Sequence, residues 1–274
     1  MQIHPLELGL QEDCPYGDIT TELLGIEGRG RLRFISREEA IVTGTSRLKD
    51  FFKSQKLVVL FCQESGDTIK AGDILIEAAG DLKILFKMWR ISQTYLTTLC
   101  AIATETRKIL NTAREANPEI EIVVACRKAH LGMRQEEIEA VEDGGGLYHR
   151  NSLSDTVLIT QNHLEVLRRL PTDIKSFHHK IEIEPRNEEE AYRCASFSDV
   201  ILLDHFEPES LPRVVQKLKE LNSRLKVGVA GGIQASRIKE FAKHVDLIVL
   251  SSVLYAAPLD FTCKIEQIKS GKGL

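Results

Sequence analysis

The chain has no low-complexity tract, no internal repeat beyond a strand-and-helix rhythm in its second half, and no apolar run near the roughly 20 residues needed to span a bilayer. Met1 to Leu10 lack the basic and apolar regions of a secretory leader. Six cysteines, at positions 14, 62, 100, 126, 194 and 263, show neither close pairing nor metal-ligand spacing, so they read as reduced, mostly buried thiols of a soluble cytoplasmic protein. An excess of positive charge is also missing: 36 Lys and Arg stand against 40 Asp and Glu, a net charge of -4. That balance offers no overall attraction to nucleic acid or an acidic membrane, and any anion site must be local. Without an HExxH zinc pattern, a G-x-S-x-G elbow, a P-loop or a dinucleotide fingerprint, metalloprotease, acyl-transfer, P-loop and hydride-transfer chemistries lose their signatures.

What is present fits one large α/β domain or a two-domain enzyme of 274 residues. The first hundred residues mix short β-like runs with glycine turns, at 30–35, 39–44, 57–62 and 73–78, and read as an α+β unit. From Phe86 to Asn111 there is no Gly or Pro, and apolar residues recur at helical spacing, which predicts a long helix bridging the halves. After Pro118 strands alternate with helix-length segments: 121–125, 157–160, 180–184, 199–203, 226–230 and 246–250. Most are continuously apolar, as in a parallel sheet covered on both faces, although 180–184 alternates. The pattern predicts a β/α barrel, with a flat doubly wound sheet as the alternative. Asp260 to Ile265 is short and partly apolar enough to form a further strand returning to the first unit.

Polar chemistry recurs immediately after these strands. Cys126-Arg127-Lys128 follows the first, Asn162-His163 the second and Asp204-His205 the fourth. Glu184 ends the third, Gly231-Gly232 follows the fifth, and Ser251-Ser252 the sixth. In a barrel this edge builds the active site. Arg127, Lys128, His149 and Arg150, the last two after the run Gly144-Gly145-Gly146, suit an anion carrying both carboxylate and phosphate, with Arg90 as a further candidate. Gly231 and Gly232 are placed to offer backbone N–H groups to a phosphate, with Ser251 and Ser252 completing the cradle. Glu184 and Asp204 form a carboxylate pair suited to holding Mg²⁺, stabilising a cationic transition state or moving a proton, and Glu182 shares a strand face with Glu184. His163, His178 and His179 fit no metal pattern and read as structural or surface residues.

These motifs, taken in order, resemble the quinolinate phosphoribosyltransferase (carboxylating nicotinate-nucleotide pyrophosphorylase) family, and within it the ModD-like branch. The resemblance runs nearly end to end, through Glu12-Asp13, Gly17-Asp18-Ile19-Thr20-Thr21, Ile102-Ala103-Thr104, Cys126-Arg127-Lys128, Gly144-Gly145-Gly146 with His149-Arg150, Glu182-Ile183-Glu184, Leu203-Asp204 and Gly231-Gly232-Ile233. It implies an N-terminal α/β domain over 1–104 joined by the C-terminal tail 256–274, and an incomplete β/α barrel over 105–255. It also implies a homodimer with shared active sites, in which Arg90 of one chain enters the partner's site; larger assemblies stay open. By resemblance, Arg127, His149 and Arg150 contact substrate carboxylates, Lys128 contacts phosphoribosyl pyrophosphate, Glu184 and Asp204 are the acidic pair with Mg²⁺, and Gly231-Gly232 belong to the phosphate loop.

Departures from the family pattern are informative. Such enzymes carry a lysine in an I-K-D-N-H stretch, whereas this chain has Ile159-Thr160-Gln161-Asn162-His163, so Thr160 takes the substrate-side position and one cationic contact is missing. Ala230 stands where a serine is expected, and Ser251-Ser252 where a glycine is expected. Genes of the ModD branch accompany molybdate transport. The expected reaction is transfer of the phosphoribosyl group to the ring nitrogen of a quinolinate-like aromatic acid, with release of pyrophosphate. The alternative is a non-catalytic oxyanion- or metabolite-binding protein associated with molybdate transport.

Overall fold

A computed structural model describes residues 4–268, which fall into two compact units. The first opens with helices α1 (Pro5–Asp13) and α2 (Ile19–Leu23). It continues through β1 (Arg29–Ser36), β2 (Ala40–Ile41), α3 (Thr45–Ser54), β3 (Val58–Cys62), β4 (Thr68–Ile69) and β5 (Ile74–Asp81) into α4 (Leu82–Arg114). Strand β1 alternates in burial, turning Leu32 and Phe34 into the core while its arginines stay at the surface side. It pairs antiparallel with β5, which pairs antiparallel with β3. Helix α3 contributes Leu48, Phe51 and Phe52 to the core. The predicted helix over 86–111 is longer at both ends in the structure; its residues to 105 cluster with the first unit and the rest with the second.

The first unit also takes 130–145, a segment inside the span 105–255 that the resemblance implies for the barrel. Its helix α5 (Arg134–Asp143) is held there by Arg47, which forks onto Glu139, and by Thr43, whose hydroxyl donates to Asp143 Oδ2 at 2.6 Å. Alternation along the chain shows that a helix follows a strand; partner side chains distant in sequence decide which layer it joins.

The second unit is a seven-stranded, all-parallel sheet, an incomplete β/α barrel. Its strands are β6 (Glu121–Val124), β7 (Leu147–Tyr148), β8 (Val157–Ile159), β9 (Ile181–Ile183), β10 (Val200–Asp204), β11 (Lys226–Ala230) and β12 (Leu247–Leu250). They lie in the order β7-β6-β12-β11-β10-β9-β8. Strand β7 was not foreseen: two exposed residues after three glycines carry no apolar pattern. Helices α6 (Gln161–Leu167), α7 (Glu188–Cys194), α8 (Leu211–Leu221) and α9 (Ile238–Ala242) alternate with the later strands. Val123, Leu202, Leu247 and Val249 pack together with Ala125, Val200 and Ala230. Gly228 packs closely beside them: a Cβ there would lie 2.4 Å from Leu247 Cδ1, so a larger residue would force that side chain to shift.

The final strand, β13 (Phe261–Gln267), returns to the first unit and pairs antiparallel with β1, from Gly30 opposite Gln267 to Ser36 opposite Phe261. Residues 269–274 of the expected tail lie outside the described residues. Among the described residues no helix is long and apolar enough to cross a membrane.

Candidate active site

Two-residue periodicity carries the barrel core into the site. Val200 and Leu202 belong to the packed cluster, so Asp204, two residues on, meets the same interior. The same step leads from Val249 to Ser251. Past the strand ends this interior opens into a cavity of about 630 Å³, contained in the second unit. Arg127, Lys128, His149, Arg150, Glu184 and Asp204 line it, with Gly231, Gly232, Ser251 and Ser252. Residues dispersed over more than a hundred positions thus share one wall, over an apolar floor that includes Leu158, Leu202 and Val249.

The charges differ in burial. Arg127 and Lys128 sit in a short 3₁₀ turn after β6 and are exposed, whereas Arg150 is only 6% exposed and its Nε has no hydrogen-bond partner among the described residues. Burial and the neighbouring Arg127 guanidinium push the Arg150 pKa below its usual value, against the pull of Glu182, Glu184 and Asp155. Glu184 follows β9, its N–H donating to Ile159 O at 2.9 Å. Burial raises the Glu184 carboxyl above the usual range, and the negative charges of Asp204 and Glu182 add to the effect. A like-charge carboxylate pair of this kind attracts positive charge.

Glu182 takes a different part from Glu184. It is 7% exposed and its Oε2 lies 2.6 Å from His149 Nε2, which links the strand next to one edge of the sheet to the residue following the strand at the opposite edge. Glu182 and Glu184 share a strand face by sequence, but the pairing with His149 joins residues 33 positions apart and leaves no local signal in the chain.

The glycine pair is conformationally specified. Gly231 has φ 90° and Gly232 φ 64°, both in the left-handed region. A Cβ on Gly231 would meet Asp204 Oδ1 at 2.7 Å and both the His205 ring Cγ and backbone N at 2.8 Å, so no other residue fits without displacing its neighbours. His205 also lines the cavity. In the sequence it stands only as the polar residue after Asp204; its backbone φ of 60°, which marks it out, is not visible in composition or spacing.

Arg90 and Thr160 are placed elsewhere. Arg90 lines a separate cavity within the first unit, is exposed, donates to Gln93 Oε1 at 3.2 Å and stacks 5.0 Å above the Trp89 ring. Thr160 is the N-cap of α6; its hydroxyl lies 2.8 Å from His163 Nδ1, and its N–H donates to the same nitrogen at 3.0 Å. His163 thereby has the structural role expected for it. Among the described residues no group of three or more His, Cys, Asp or Glu could form a protein-only metal cage. Among the described residues no disulfide joins the six cysteines.

Residues 102–264 match the model of the quinolinate phosphoribosyl transferase C-terminal domain, and 18–100 that of the N-terminal domain. A probable nicotinate-nucleotide pyrophosphorylase [carboxylating] from Archaeoglobus fulgidus is 34% identical over 92% of this chain and 100% of its own length. A putative pyrophosphorylase ModD from Pasteurella multocida is 30% identical over 94% of this chain and 95% of its own. Among solved structures, NadC from Streptococcus pyogenes superposes with a TM-score of 0.87 at 23% identity, covering 96% of this chain and 97% of that one. The nicotinate-nucleotide pyrophosphorylase from Ehrlichia chaffeensis gives 0.86 at 24% identity, covering 97% and 100%. The likeness to these structures concerns the fold, an incomplete barrel with a separate antiparallel sheet.

Proposed function

The chain belongs to the quinolinate phosphoribosyltransferase family, and from that membership we propose that its barrel cavity transfers the phosphoribosyl group of phosphoribosyl pyrophosphate to the ring nitrogen of a quinolinate-like aromatic acid. The observation that carries this reading is the meeting of Arg127, Lys128, Arg150, Glu184, Asp204 and the glycine pair around one cavity. Cations alone would describe an oxyanion binder. A carboxylate pair in the same wall suits a reaction in which positive charge develops.

In the proposed reaction the ring nitrogen attacks C1 of the ribose, the bond from C1 to the pyrophosphate oxygen breaks, and pyrophosphate leaves with that electron pair. Glu184 and Asp204 stabilise the positive charge that develops on the ribosyl ring. Arg127, His149 and Arg150 orient the acid, and Lys128 pairs with phosphate. Backbone N–H groups at Gly231 and Gly232, with the Ser251 and Ser252 hydroxyls, hold phosphoryl oxygens.

Mg²⁺ fits this site as a passenger on phosphoribosyl pyrophosphate, since it is commonly held by one or two carboxylates plus substrate phosphates. Glu184 and Asp204 are the carboxylates that would hold it; the Glu184 carboxyl is raised first by burial and then by the negative charges of Asp204 and Glu182, which a cation would offset. When bound it would neutralise the departing pyrophosphate.

The acceptor is proposed to carry less negative charge than quinolinate. Thr160 stands at the lysine position and its hydroxyl is taken up by His163. With quinolinate itself, decarboxylation would follow and nicotinate mononucleotide result. We further propose a cytoplasmic homodimer with shared sites, in which the exposed Arg90 reaches the partner's cavity. Pyrophosphate release from phosphoribosyl pyrophosphate, Mg²⁺ and a panel of pyridine acids tests the reaction; release with none of them refutes it. Mixing Arg90→Ala with Asp204→Asn chains tests the shared site, with regained activity expected only if one chain completes the other.

A further inference from the structure

His205 occupies an unusual position that the reaction above does not use. Its backbone φ is 60°, and among the described residues only Lys56 and Arg168 are other non-glycine residues with positive φ. That conformation costs of order 1 kcal/mol or more, and such costs gather at functional sites. Its N–H continues the sheet, donating to Ala230 O at 3.0 Å, which fixes the backbone directly beside the glycine pair. The Cβ position excluded at Gly231 falls 2.8 Å from the His205 ring Cγ, and the position on Gly232 lies 4.0 Å from Cε1, so the imidazole runs along both glycines.

Among the described residues no packing explains this placement. The side chain is 72% exposed. Its Nε2 is 3.8 Å from Asp204 Oδ2, too far for a hydrogen bond, and the ring makes no hydrogen bond among the described residues. An imidazole carries an N–H donor in either protonation state. A strained backbone, two Cβ-free neighbours and an unused donor therefore converge on the wall where phosphoryl oxygens are expected.

We propose that His205 is a phosphate-binding residue of the barrel cavity, donating an imidazole N–H to phosphoryl oxygens of phosphoribosyl pyrophosphate cradled by Gly231 and Gly232. The inference rests on the phosphoribosyltransferase reading and adds a side-chain donor to it. Two sources supply such oxygens, the pyrophosphate and the 5′-phosphate.

The test is calorimetric binding of three probes, each with Mg²⁺: phosphoribosyl pyrophosphate, inorganic pyrophosphate and ribose 5-phosphate. His205→Phe keeps a ring of similar breadth but has no donor, and His205→Asn retains an amide donor in a residue that tolerates the left-handed region. His205→Phe should weaken phosphoribosyl pyrophosphate binding about tenfold, as for loss of one hydrogen bond to a charged group, and His205→Asn should recover most of it. The fragment whose affinity falls in parallel identifies the phosphate contacted. A purely structural role would lower the unfolding midpoint of His205→Phe and leave affinity unchanged, which overturns the proposal. Wild-type protein that binds phosphoribosyl pyrophosphate while His205→Phe binds it equally well sinks this inference alone. Failure of the wild-type protein to bind it sinks the inference together with the reading beneath it.

Discussion

Gly231→Ala is the sharpest probe of the phosphate loop. The substitution asks a residue with a side chain to hold φ 90° and puts a Cβ 2.7 Å from Asp204 Oδ1 and 2.8 Å from His205 N. The carboxylate end can swing away; the His205 N–H cannot, because it is bonded to Ala230 O across β10 and β11. Left-handed backbone costs about 1–2 kcal/mol and overpacking a further ~1–3 kcal/mol, so a loss of about 2–5 kcal/mol is expected. Gly232→Ala is the matched control: its φ is 64°, but the nearest atom is 4.0 Å away, leaving only the backbone cost of about 1–2 kcal/mol. Urea unfolding followed by circular dichroism measures both, and calorimetry with phosphoribosyl pyrophosphate reads the site. Equal losses of stability for the two variants would refute the steric argument, and full-strength binding by Gly231→Ala would refute the loop's role.

Other consequences can be checked as directly. Glu182→Ala removes the buried partner of His149 Nε2; it should destabilise the barrel by about 1.5–3 kcal/mol in urea titrations and raise KM for the acceptor acid more than KM for phosphoribosyl pyrophosphate. Thr160→Lys should improve quinolinate use relative to less charged acids in steady-state assays, at a capping cost of about 0.5–2 kcal/mol; no gain would discard charge as the reason for the departure. Bonding to Arg47 holds Glu139 below the usual carboxylate range, so the stability this pair contributes is present above the ordinary glutamate value and lost as pH falls through the lowered one. Wild type should therefore have a higher urea midpoint than Glu139→Gln at neutral pH, and the two midpoints should converge at strongly acidic pH.

Several local features could be read directly because they depend on neighbours in the chain. Apolar runs bounded by Gly and polar residues located six of the seven barrel strands to within a residue or two, and the charged or glycine-rich residues after them marked the site edge. Strand β7 escaped because two exposed residues have no periodicity to detect. Segment 130–145 carried a helical signal, yet Arg47 and Thr43, nearly a hundred residues earlier, decide which unit it joins.

The strand-end chemistry was thus determined by sequence alone, since parity along a strand fixes which residues face the barrel interior. Tertiary structure decided the pairings that give those residues distinct parts. Glu182 and Glu184 share a strand face, but His149, delivered from the opposite edge of the sheet, engages Glu182, while Glu184 lines the cavity and its carboxyl is raised by burial beside Asp204. His205 follows the same logic: its type was visible, whereas its left-handed backbone, with its N–H bonded to Ala230 O beside Gly231, is a feature of the folded chain alone. Short-range periodicity needs only the chain itself; long-range contacts, which set burial, electrostatics and strain, appear only once the chain has closed on itself.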